Sequence, residues 1–422
     1  MKNNKFLLCI VTVLFTVSLL LTGCSDSPSS PSNPSSPSGS SSENSGSSSD
    51  SENSGSSSDS ENSGSSSDSE TPEPGKFELF YEISGSTATV TGVRGKPTGT
   101  VTIPEKTPDG ITVTRIDSYA FYNSDITGIV FPDTITYIGD YAFAGNALKQ
   151  LVLPSSLHIV GKAAFSACRS LTTVVLNGNP EYQGTESTGV FSGCDQLRTV
   201  TITSGLTRLG DGMFAHCTKL STVMLPDTLT SIGESTFFSC HALKSITLPD
   251  ALTTLDKSAF ADCKALQSIR IPAKVKSLST NTFANCRALT SVTLPDTLTS
   301  IGEGAFSGCL ALEGITLPGN LQVLGASAFE SCVHLKKIVL PDGIRTLPEG
   351  VFQNCSQLQK VYLPRNLSKV CNGAFRFQQP LTVYWAGSAS DWTRAGISIS
   401  QYGNDALVKA SFVYNATPNA LK

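Results

Sequence analysis

Cysteine is the residue type with the most chemical potential in this chain, because it recurs at a regular spacing. Nine of the twelve cysteines stand three residues after one of a series of regularly spaced phenylalanines. Thiols in such a row could form disulfide bonds, or bind a metal ion if several of them converge. The nine are Cys168, Cys194, Cys217, Cys240, Cys263, Cys286, Cys309, Cys332 and Cys355.

The spacing of these cysteines favours free thiols over either chemistry. Equivalent residues of stacked turns lie about 5 Å apart with parallel side chains, which do not readily give the torsion of nearly 90° that an S–S bond needs. A metal site needs convergent ligands such as Cys-x-x-Cys, and the sequence contains no such pair. We therefore predict a row of buried, free thiols that act as small apolar side chains.

The usual signatures of catalysis are missing from the sequence. It contains no Gly-x-Ser-x-Gly, His-Glu-x-x-His or phosphate-loop motif. The histidines occupy different positions of different turns, so we expect no Ser/His/Asp set to converge. We predict that the protein is not an enzyme and uses no metal or cofactor. The four histidines are His158, His216, His241 and His334.

The regular spacing of phenylalanine predicts the structural elements that position these residues. Successive phenylalanines are separated by 22, 22 and 26 residues and then by 23 residues eight times. A period between 20 and 50 residues is typical of a solenoid, in which each turn buries its apolar side against the next turn. The phenylalanines are Phe121, Phe143, Phe165, Phe191, Phe214, Phe237, Phe260, Phe283, Phe306, Phe329, Phe352 and Phe375.

A single turn, Leu289–Leu312, shows how the pattern predicts structure. Its Leu-x-x-Val-x-Leu segment is typical of a half-buried strand, and Pro295 ends the strand because proline has no N–H to donate. Leu298-x-x-Ile301 brings the chain back along a second face. Ala305-Phe306-x-x-Cys309 has the i, i+3 spacing of a short helical turn.

This unit resembles the BspA-like (Treponema-type) leucine-rich repeat, Leu-x-x-Leu-x-Leu-Pro-x-x-Leu-x-x-Ile-Gly-x-x-Ala-Phe-x-x-Cys, over about residues 77–420. The resemblance implies an α/β leucine-rich-repeat solenoid of about 12 turns of ~23 residues. A parallel sheet would form one face and short helical turns the other. We expect an N-terminal cap at 76–110, the solenoid at 111–380 and a C-terminal cap at 381–422, because bare end turns would expose core and strand edges.

One turn departs from the repeat. Between Leu176 and Phe191 the chain has three extra residues and lacks the two apolar positions of the return face. We predict a bulged loop there. It is either a tolerated insertion or a contact loop that acts through Tyr182, since irregular loops on rigid scaffolds often carry function.

The first 75 residues have the composition of an export signal followed by a flexible tether. Residues 1–23 carry two lysines and then an apolar run, as secretory signals do. Leu21-Thr22-Gly23-Cys24 resembles the bacterial lipobox, which implies that Cys24 is acylated and becomes the mature N-terminus. Residues 24–75 are rich in Ser and Gly, contain nine acids and no bases, and predict a disordered tether.

Charge argues against a nucleic-acid ligand. The chain carries −4 in total, of which the signal contributes +2 and the tether −9, leaving +3 on residues 76–422. That domain is close to neutral and has no basic stripe, so we predict no nucleic-acid binding.

The exposed face of the main sheet is the predicted contact surface. Small hydroxyl residues dominate its two outward rows, but its ends differ. Val130, Val152 and Val175 form an apolar strip at the N-terminal end. These exceptions either reflect the strand preference of β-branched and aromatic residues or mark a protein contact. We place the candidate protein-binding site at the C-terminal end, at Lys337, Val339, Lys360, Tyr362, Tyr384 and Trp385.

The function implied by the family resemblance is adhesion. We expect a monomeric lipoprotein, anchored in the cell envelope through Cys24 and displayed at the outer membrane or cell surface. It would bind host matrix or plasma proteins, or other bacteria. Two alternatives stay open, a module that binds glycans or the cell wall, and an envelope spacer with no specific ligand.

Overall fold

The computed structural model describes residues 77–421, except 186, 204 and 401. The predicted signal segment, the tether and Cys24 lie outside these residues. None of the helices within the described range has the length and apolarity that a membrane span requires.

The Leu-x-x-Leu-x-Leu segments form the main sheet, whose strands are parallel and, within each of its four sections, paired in register with the next turn. Alternation along each strand puts one set of side chains in the core and the other on the outer face. The strands are β3 (Gly99–Thr102), β5 (Ile126–Val130), β7 (Gln150–Val152), β9 (Thr173–Leu176), β11 (Thr199–Ile202), β13 (Thr222–Met224), β16 (Ser268–Arg270), β18 (Ser291–Thr293), β21 (Lys337–Val339), β23 (Lys360–Leu363), β25 (Thr382–Trp385) and β27 (Ser411–Val413).

A second set of strands, the return sheet, runs along another side of each turn. It begins with the antiparallel hairpin β1–β2, which adds two strands beyond β4. Later strands are two residues long and parallel. The set comprises β1 (Phe77–Ser84), β2 (Thr87–Gly95), β4 (Thr112–Ile116), β6 (Tyr137–Ile138), β8 (Ile159–Val160), β10 (Glu181–Tyr182), β12 (Arg208–Leu209), β14 (Ser231–Ile232), β15 (Thr254–Leu255), β17 (Ser277–Leu278), β19 (Ser300–Ile301), β20 (Val323–Leu324), β22 (Thr346–Leu347), β24 (Lys369–Val370) and β26 (Ser398–Ile399).

The third side of each turn, the turn face, contains hydrogen-bonded turns in place of the short helical turns that the spacing indicated. The i, i+3 bonds are present, as from the Cys309 N–H to the Phe306 carbonyl at 3.2 Å. However, the residues two before and two after each phenylalanine mostly adopt positive φ, as at Gly304 (58°) and Gly308 (71°). A left-handed residue interrupts a right-handed helix, so each bend stays a pair of tight turns.

The core is a continuous column of side chains. Phenylalanine rings of adjacent turns stack with centroids between 5.0 Å (Phe121–Phe143) and 5.9 Å (Phe329–Phe352). These separations lie in the favourable range for offset aromatic pairs. The prediction of a solenoid with a shared core is confirmed.

The irregular turn is built differently from the predicted loop. Tyr182 pairs in register with Val160 and is buried, so it occupies the apolar position of the return face that the sequence seemed to lack. Pro180 is buried as well. The added length follows Tyr182, between Gln183, whose N–H donates to the Val160 carbonyl, and Thr188, whose carbonyl accepts from the Ala163 N–H. Tyr182 does not project as a contact residue. Its hydroxyl has no hydrogen-bond partner among the described residues, and burial raises its pKa.

The C-terminal segment leaves the repeat pattern. It contains two helices, α1 (Ala389–Arg394) and α2 (Asp405–Val408), and the 3₁₀ helix η1 (Pro418–Leu421). After β27 the chain folds back along the solenoid, and η1 contacts β21 and β23. We call residues 414–421 the tail.

Candidate functional site

The outer face of the main sheet has the two predicted rows of side chains. Thr173, Thr199 and Thr222 align in one row through the pairing of β9, β11 and β13. Val339 pairs with Tyr362, and Tyr362 with Tyr384, in the other. The register of the repeat therefore brings five of the six predicted site residues, Lys337, Val339, Lys360, Tyr362 and Tyr384, into one patch.

The tail covers part of that patch, which corrects the expectation that its side chains are all exposed. Tyr362 lies on the outer face but is only 4% exposed. The Nζ of Lys337 donates a hydrogen bond to the backbone carbonyl of Leu421 at 2.7 Å. Leu421 itself is buried. Burial and the nearby Asp342 carboxylate raise the pKa of Tyr362.

Trp385 is also placed differently from expectation. It pairs with Leu363, whose side chain points inward, and it is fully buried in the core. Its ring packs edge-on against Trp392 of α1, with centroids 4.9 Å apart. Trp385 therefore holds the C-terminal cap together and cannot widen a contact surface. Lys360 remains exposed and Tyr384 half-buried.

In the described part of the chain the main sheet is interrupted between β5 and β7 and at two repeats that contribute no strand, and sequence reasoning missed these places. Within the described residues, no backbone hydrogen bond joins Gly314–Thr316 to the strands on either side. At this break the inward-pointing Val292 and Ile315 become partly accessible. Together with Val339, Pro418 and Leu421 they line an apolar cleft of about 570 Å³. Ser245–Thr247 forms the second break of this kind.

The N-terminal end of the outer face is open. Val130 and Val152 are 50% and 42% exposed, and Met224 further along the same row is 49% exposed. Val175, which was predicted to belong to this apolar strip, is buried. The strip thus consists of two exposed valines rather than three.

An aromatic cluster on the turn face was also missed. The rings of Tyr119 and Tyr141 stack at 5.2 Å, and Tyr122 packs edge-on against Tyr119 at 5.7 Å. Tyr119 and Tyr122 are both exposed. The signal lay in the repeat, because Tyr119 and Tyr141 share the position two residues before phenylalanine, where most turns have a small residue.

One polar cluster brings together residue types that can do chemistry. Ser239, His241 and Asp262 meet because positions two and four after phenylalanine are neighbours across adjacent turns. Asp262 Oδ2 lies 2.9 Å from His241 Nε2 and 3.2 Å from Ser239 Oγ. Lys264 Nζ lies 3.1 Å from the same histidine nitrogen.

This cluster lacks the order of a catalytic triad. The serine hydroxyl bonds to the carboxylate instead of the imidazole, so no nucleophile–base pair forms. Although partial burial raises the pKa of Asp262, hydrogen bonds from His241 and Lys264 outweigh it and lower the pKa overall. Within residues 77–421, leaving out the three residues not described, no three His, Cys, Asp or Glu side chains are grouped to hold a metal ion.

The nine predicted thiols are buried and free, as the stacking argument indicated. Each Sγ donates to the carbonyl of the phenylalanine one turn back, at distances from 3.1 Å (Cys355) to 3.4 Å (Cys168). Asn146 occupies the equivalent position one turn earlier and bonds to the Phe121 and Phe143 carbonyls. Burial raises the pKa of the eight thiols from Cys194 to Cys355, that of Cys309 to about 12. The row is structural, since a reactive thiol needs an accessible thiolate.

Comparison with known proteins agrees with this architecture. The BspA type leucine rich repeat region matches in six copies over residues 114–187, 186–290 and 276–388. No curated protein matches the chain.

Several solved structures are similar. A leucine rich cell surface protein from Faecalibacterium prausnitzii is 30% identical, with 76% of this chain and 96% of that one covered and a TM-score of 0.48. A leucine-rich repeat protein from Bacteroides ovatus is 24% identical, with 73% and 98% covered and a TM-score of 0.49. The pneumococcal vaccine antigen PcpA is 17% identical, with 82% and 100% covered and a TM-score of 0.49.

Proposed function

Because the chain belongs to the BspA-type leucine-rich-repeat family, we propose that it is a bacterial surface protein that binds other proteins. It acts as an adhesin for host matrix or plasma proteins, or for other bacteria. The name of the Faecalibacterium prausnitzii relative, a cell surface protein, supports this location. A rigid solenoid with a continuous outer face also suits protein binding, because stacked repeats create extended binding surfaces.

One observation carries the choice of a protein ligand. At its C-terminal end the main sheet already has a polypeptide segment seated on its outer face. The tail places Leu421 against the sheet, and Lys337 recognises its backbone carbonyl. Apolar contact combined with main-chain hydrogen bonding is how protein surfaces hold peptide segments.

The residues proposed for the partner contact follow from their accessibility. Lys337 and Lys360 are exposed, and Val339 and Tyr384 are half-buried. The lysines attract an acidic partner surface and act mainly on the association rate. Tyr362 contributes once the tail moves aside.

A binding panel tests this function. The purified protein is immobilised and exposed to matrix proteins, plasma proteins and whole bacteria, each with and without enzymatic deglycosylation. We expect saturable capture that survives deglycosylation, weakens at high salt and falls at least fivefold on Lys360→Ala. The matched control, Lys369→Ala, removes an exposed lysine from the return sheet and should change nothing. Capture of no partner at all would favour a spacer.

Attachment to the envelope is proposed through Cys24, which lies outside the described residues. Acyl chains there hold the protein to the membrane, and stable anchoring needs more than one chain. Mass spectrometry of the membrane fraction should find no peptide from residues 1–23 and a lipid mass on Cys24. Membrane retention of Cys24→Ala would contradict the anchor.

Glycan binding is the second candidate, and the tyrosine cluster favours it. Tyr119, Tyr122 and Tyr141 present ring faces and hydroxyls together, an amphipathic combination that suits sugar rings. Calorimetry with cell-wall fragments tests it. Binding that is lost on Tyr119→Ala and retained on Tyr402→Ala, another exposed tyrosine, would establish this function.

A further inference from the structure

The apolar cleft at the sheet break has the dimensions of a binding site. Its volume of about 570 Å³ falls in the range of ligand clefts, roughly 300–1,000 Å³. Val292, Ile315 and Val339 of the sheet line it together with Pro418 and Leu421 of the tail. Within the described part of the chain, the Gly314–Thr316 backbone makes no backbone hydrogen bond, so its N–H and carbonyl groups are available to an extended chain.

The other sheet break shows that an interruption alone does not make such a cleft. Around Ser245–Thr247 the cleft measures about 350 Å³ and is lined largely by serines, threonines and Arg270. Ile246 stays buried there, whereas the equivalent Ile315 is partly accessible. Ile246, Leu248 and Ile269 also line that smaller cleft, but a larger share of the lining is apolar at Gly314–Thr316, and of the two clefts this one contains residues of the tail.

The tail shows which chemistry this part of the sheet accepts. Leu421 is 4% exposed, and its carbonyl accepts a hydrogen bond from Lys337. Tyr362 is buried beneath the tail, although it lies on the outer face of the sheet. A short segment with an apolar side chain and a free carbonyl therefore fits beside the cleft, and Pro418 and Leu421 of that segment line the cleft itself.

We infer that the cleft forms a docking groove for an extended apolar peptide segment of a protein partner, together with the sheet surface that the tail covers, which we call the seat. The tail competes with this peptide for the groove. This inference rests on the proposed protein-binding function. A ligand gains access only in the fraction of molecules whose tail is displaced, so the tail lowers the apparent affinity by that fraction.

Fluorescence anisotropy on the full chain tests the groove. The probe is a labelled, C-terminally amidated peptide with the sequence of residues 413–421. Leu421→Asp releases the tail, because a carboxylate is not tolerated in the apolar seat. We expect this variant to bind the probe at least tenfold more tightly than the wild type. Leu421→Met, which keeps the seat apolar, should behave like the wild type.

A second pair of variants locates the probe. In the Leu421→Asp background, Thr316→Glu places a charge in the cleft and should weaken binding at least tenfold. Thr247→Glu makes the same change at the equivalent exposed position of the other break and should have no effect. A cooperative melting transition and a far-ultraviolet circular dichroism spectrum like that of the wild type establish that each variant keeps the folded solenoid.

The outcomes separate this inference from the proposed function. Equal probe binding by wild type and Leu421→Asp, or equal effects of Thr316→Glu and Thr247→Glu, would overturn the groove. If a surface protein is nevertheless captured in the binding panel, the proposed function stands and the contact lies elsewhere on the solenoid. If the probe binds as expected and the panel captures nothing, the groove stands and adhesion is what fails.

Discussion

The stacked phenylalanines and the buried cysteines of the repeats, which we call the column, are stabilised by contacts between adjacent turns. The C-terminal end of the main sheet is stabilised by a contact with a segment that is distant in the sequence. In the column, each side chain meets its equivalents from the adjacent turns, about 23 residues away. The bond from Cys286 to the Phe260 carbonyl, for example, spans 26 residues. At the end of the sheet, the bond from Lys337 to Leu421 spans 84 residues and joins a repeat to a segment outside the repeat.

This difference separates what a repeated sequence determines from what a single segment adds. A residue in the column has the same surroundings in every turn, so its burial follows from its position. A residue on the outer face has the same orientation in every turn, but its exposure depends on whatever lies above it. Met224 and Tyr362 occupy the same row, and one is 49% exposed while the other is 4% exposed.

The largest loss in the free energy of unfolding is expected when a phenylalanine of the column is replaced. Phe283→Ala removes a fully buried ring that stacks on Phe260 and Phe306, each at 5.6 Å. Large-to-small changes of this kind cost about 3–5 kcal/mol, through lost burial and the cavity left behind. Chemical denaturation followed by circular dichroism measures the loss. Met224→Ala on the outer face is the control and should cost less than about 0.5 kcal/mol.

A loss below about 1 kcal/mol for Phe283→Ala would contradict the idea of a shared core. It would mean that the neighbouring turns close the cavity, which close-packed interiors seldom do.

Tyr362→Ala measures how much the covered C-terminal end of the main sheet contributes to stability. If its side chain were open to solvent, stability would hardly change. Because the tail buries it, we expect a cost of about 2 kcal/mol, within the range for burying a large side chain. The same denaturation measurement applies. Combining Tyr362→Ala with Leu421→Asp should cost less than the sum of the two, since both remove one contact. Additive losses would show that the tail does not cover Tyr362.

The column could be predicted from the sequence because its rules are local. The phenylalanine period, the position of Cys168 to Cys355 and the direction of each strand residue all follow from stacking identical turns. The free state of the thiols followed from the same geometry. The irregular turn was predicted only in part, because the insertion is present but Tyr182 fills an apolar position of the return face, one residue earlier than the repeat would place it.

The candidate site could be predicted only in part. Register placed Lys337, Val339, Lys360 and Tyr362 together, but nothing in the repeat shows that residues 414–421 return over them. Trp385 was misjudged because the cap continues the alternation of β23, which turns that position inward. The breaks in the sheet depend on small shifts between turns, for which the sequence carries no pattern we recognise.

A smaller loss of stability is expected when a cysteine of the buried row is replaced. Cys286→Ser should cost about 1–2 kcal/mol, because the hydroxyl is harder to desolvate than the thiol although it can still donate to the Phe260 carbonyl. Cys371→Ser, at a half-buried thiol outside the row, should be close to neutral. Equal costs at both positions would show that membership of the row confers no special role.

Thiol labelling tests the same row without a mutation. Alkylation of the native protein near neutral pH should modify Cys371 well before any of the nine, because burial blocks the access of the reagent to all nine thiols. In denaturant without reductant, all nine should react. Thiols that remain blocked until reductant is added would reveal disulfides and contradict the stacking argument.

Acid should destabilise the C-terminal cap before it destabilises the column. Of the changes in stability considered, this one is expected to be the smallest. The Ser388 N–H donates to the Asp391 carboxylate at 2.9 Å, and the Arg365 guanidinium pairs with the same oxygen at 2.6 Å. These contacts lower the pKa of Asp391 from 3.8 to about 2. A lowered pKa means that the stabilisation is present above about pH 4 and is lost as the pH falls toward 2. The carboxylate is on the surface, so salt should weaken the effect.

Tryptophan fluorescence can follow this change selectively, because both tryptophans of the chain, Trp385 and Trp392, lie in the C-terminal cap. Trp392 belongs to α1, the helix that Ser388 and Asp391 cap through a reciprocal pair of hydrogen bonds. Between pH 4 and 2 we expect the tryptophan signal to change before the circular dichroism of the repeats, since the buried thiols and rings of the column do not ionise in acid. Asp391→Asn removes the titrating group and should remove this early change. An early change that persists in Asp391→Asn would assign the acid sensitivity to another group and leave the cap as resistant as the column.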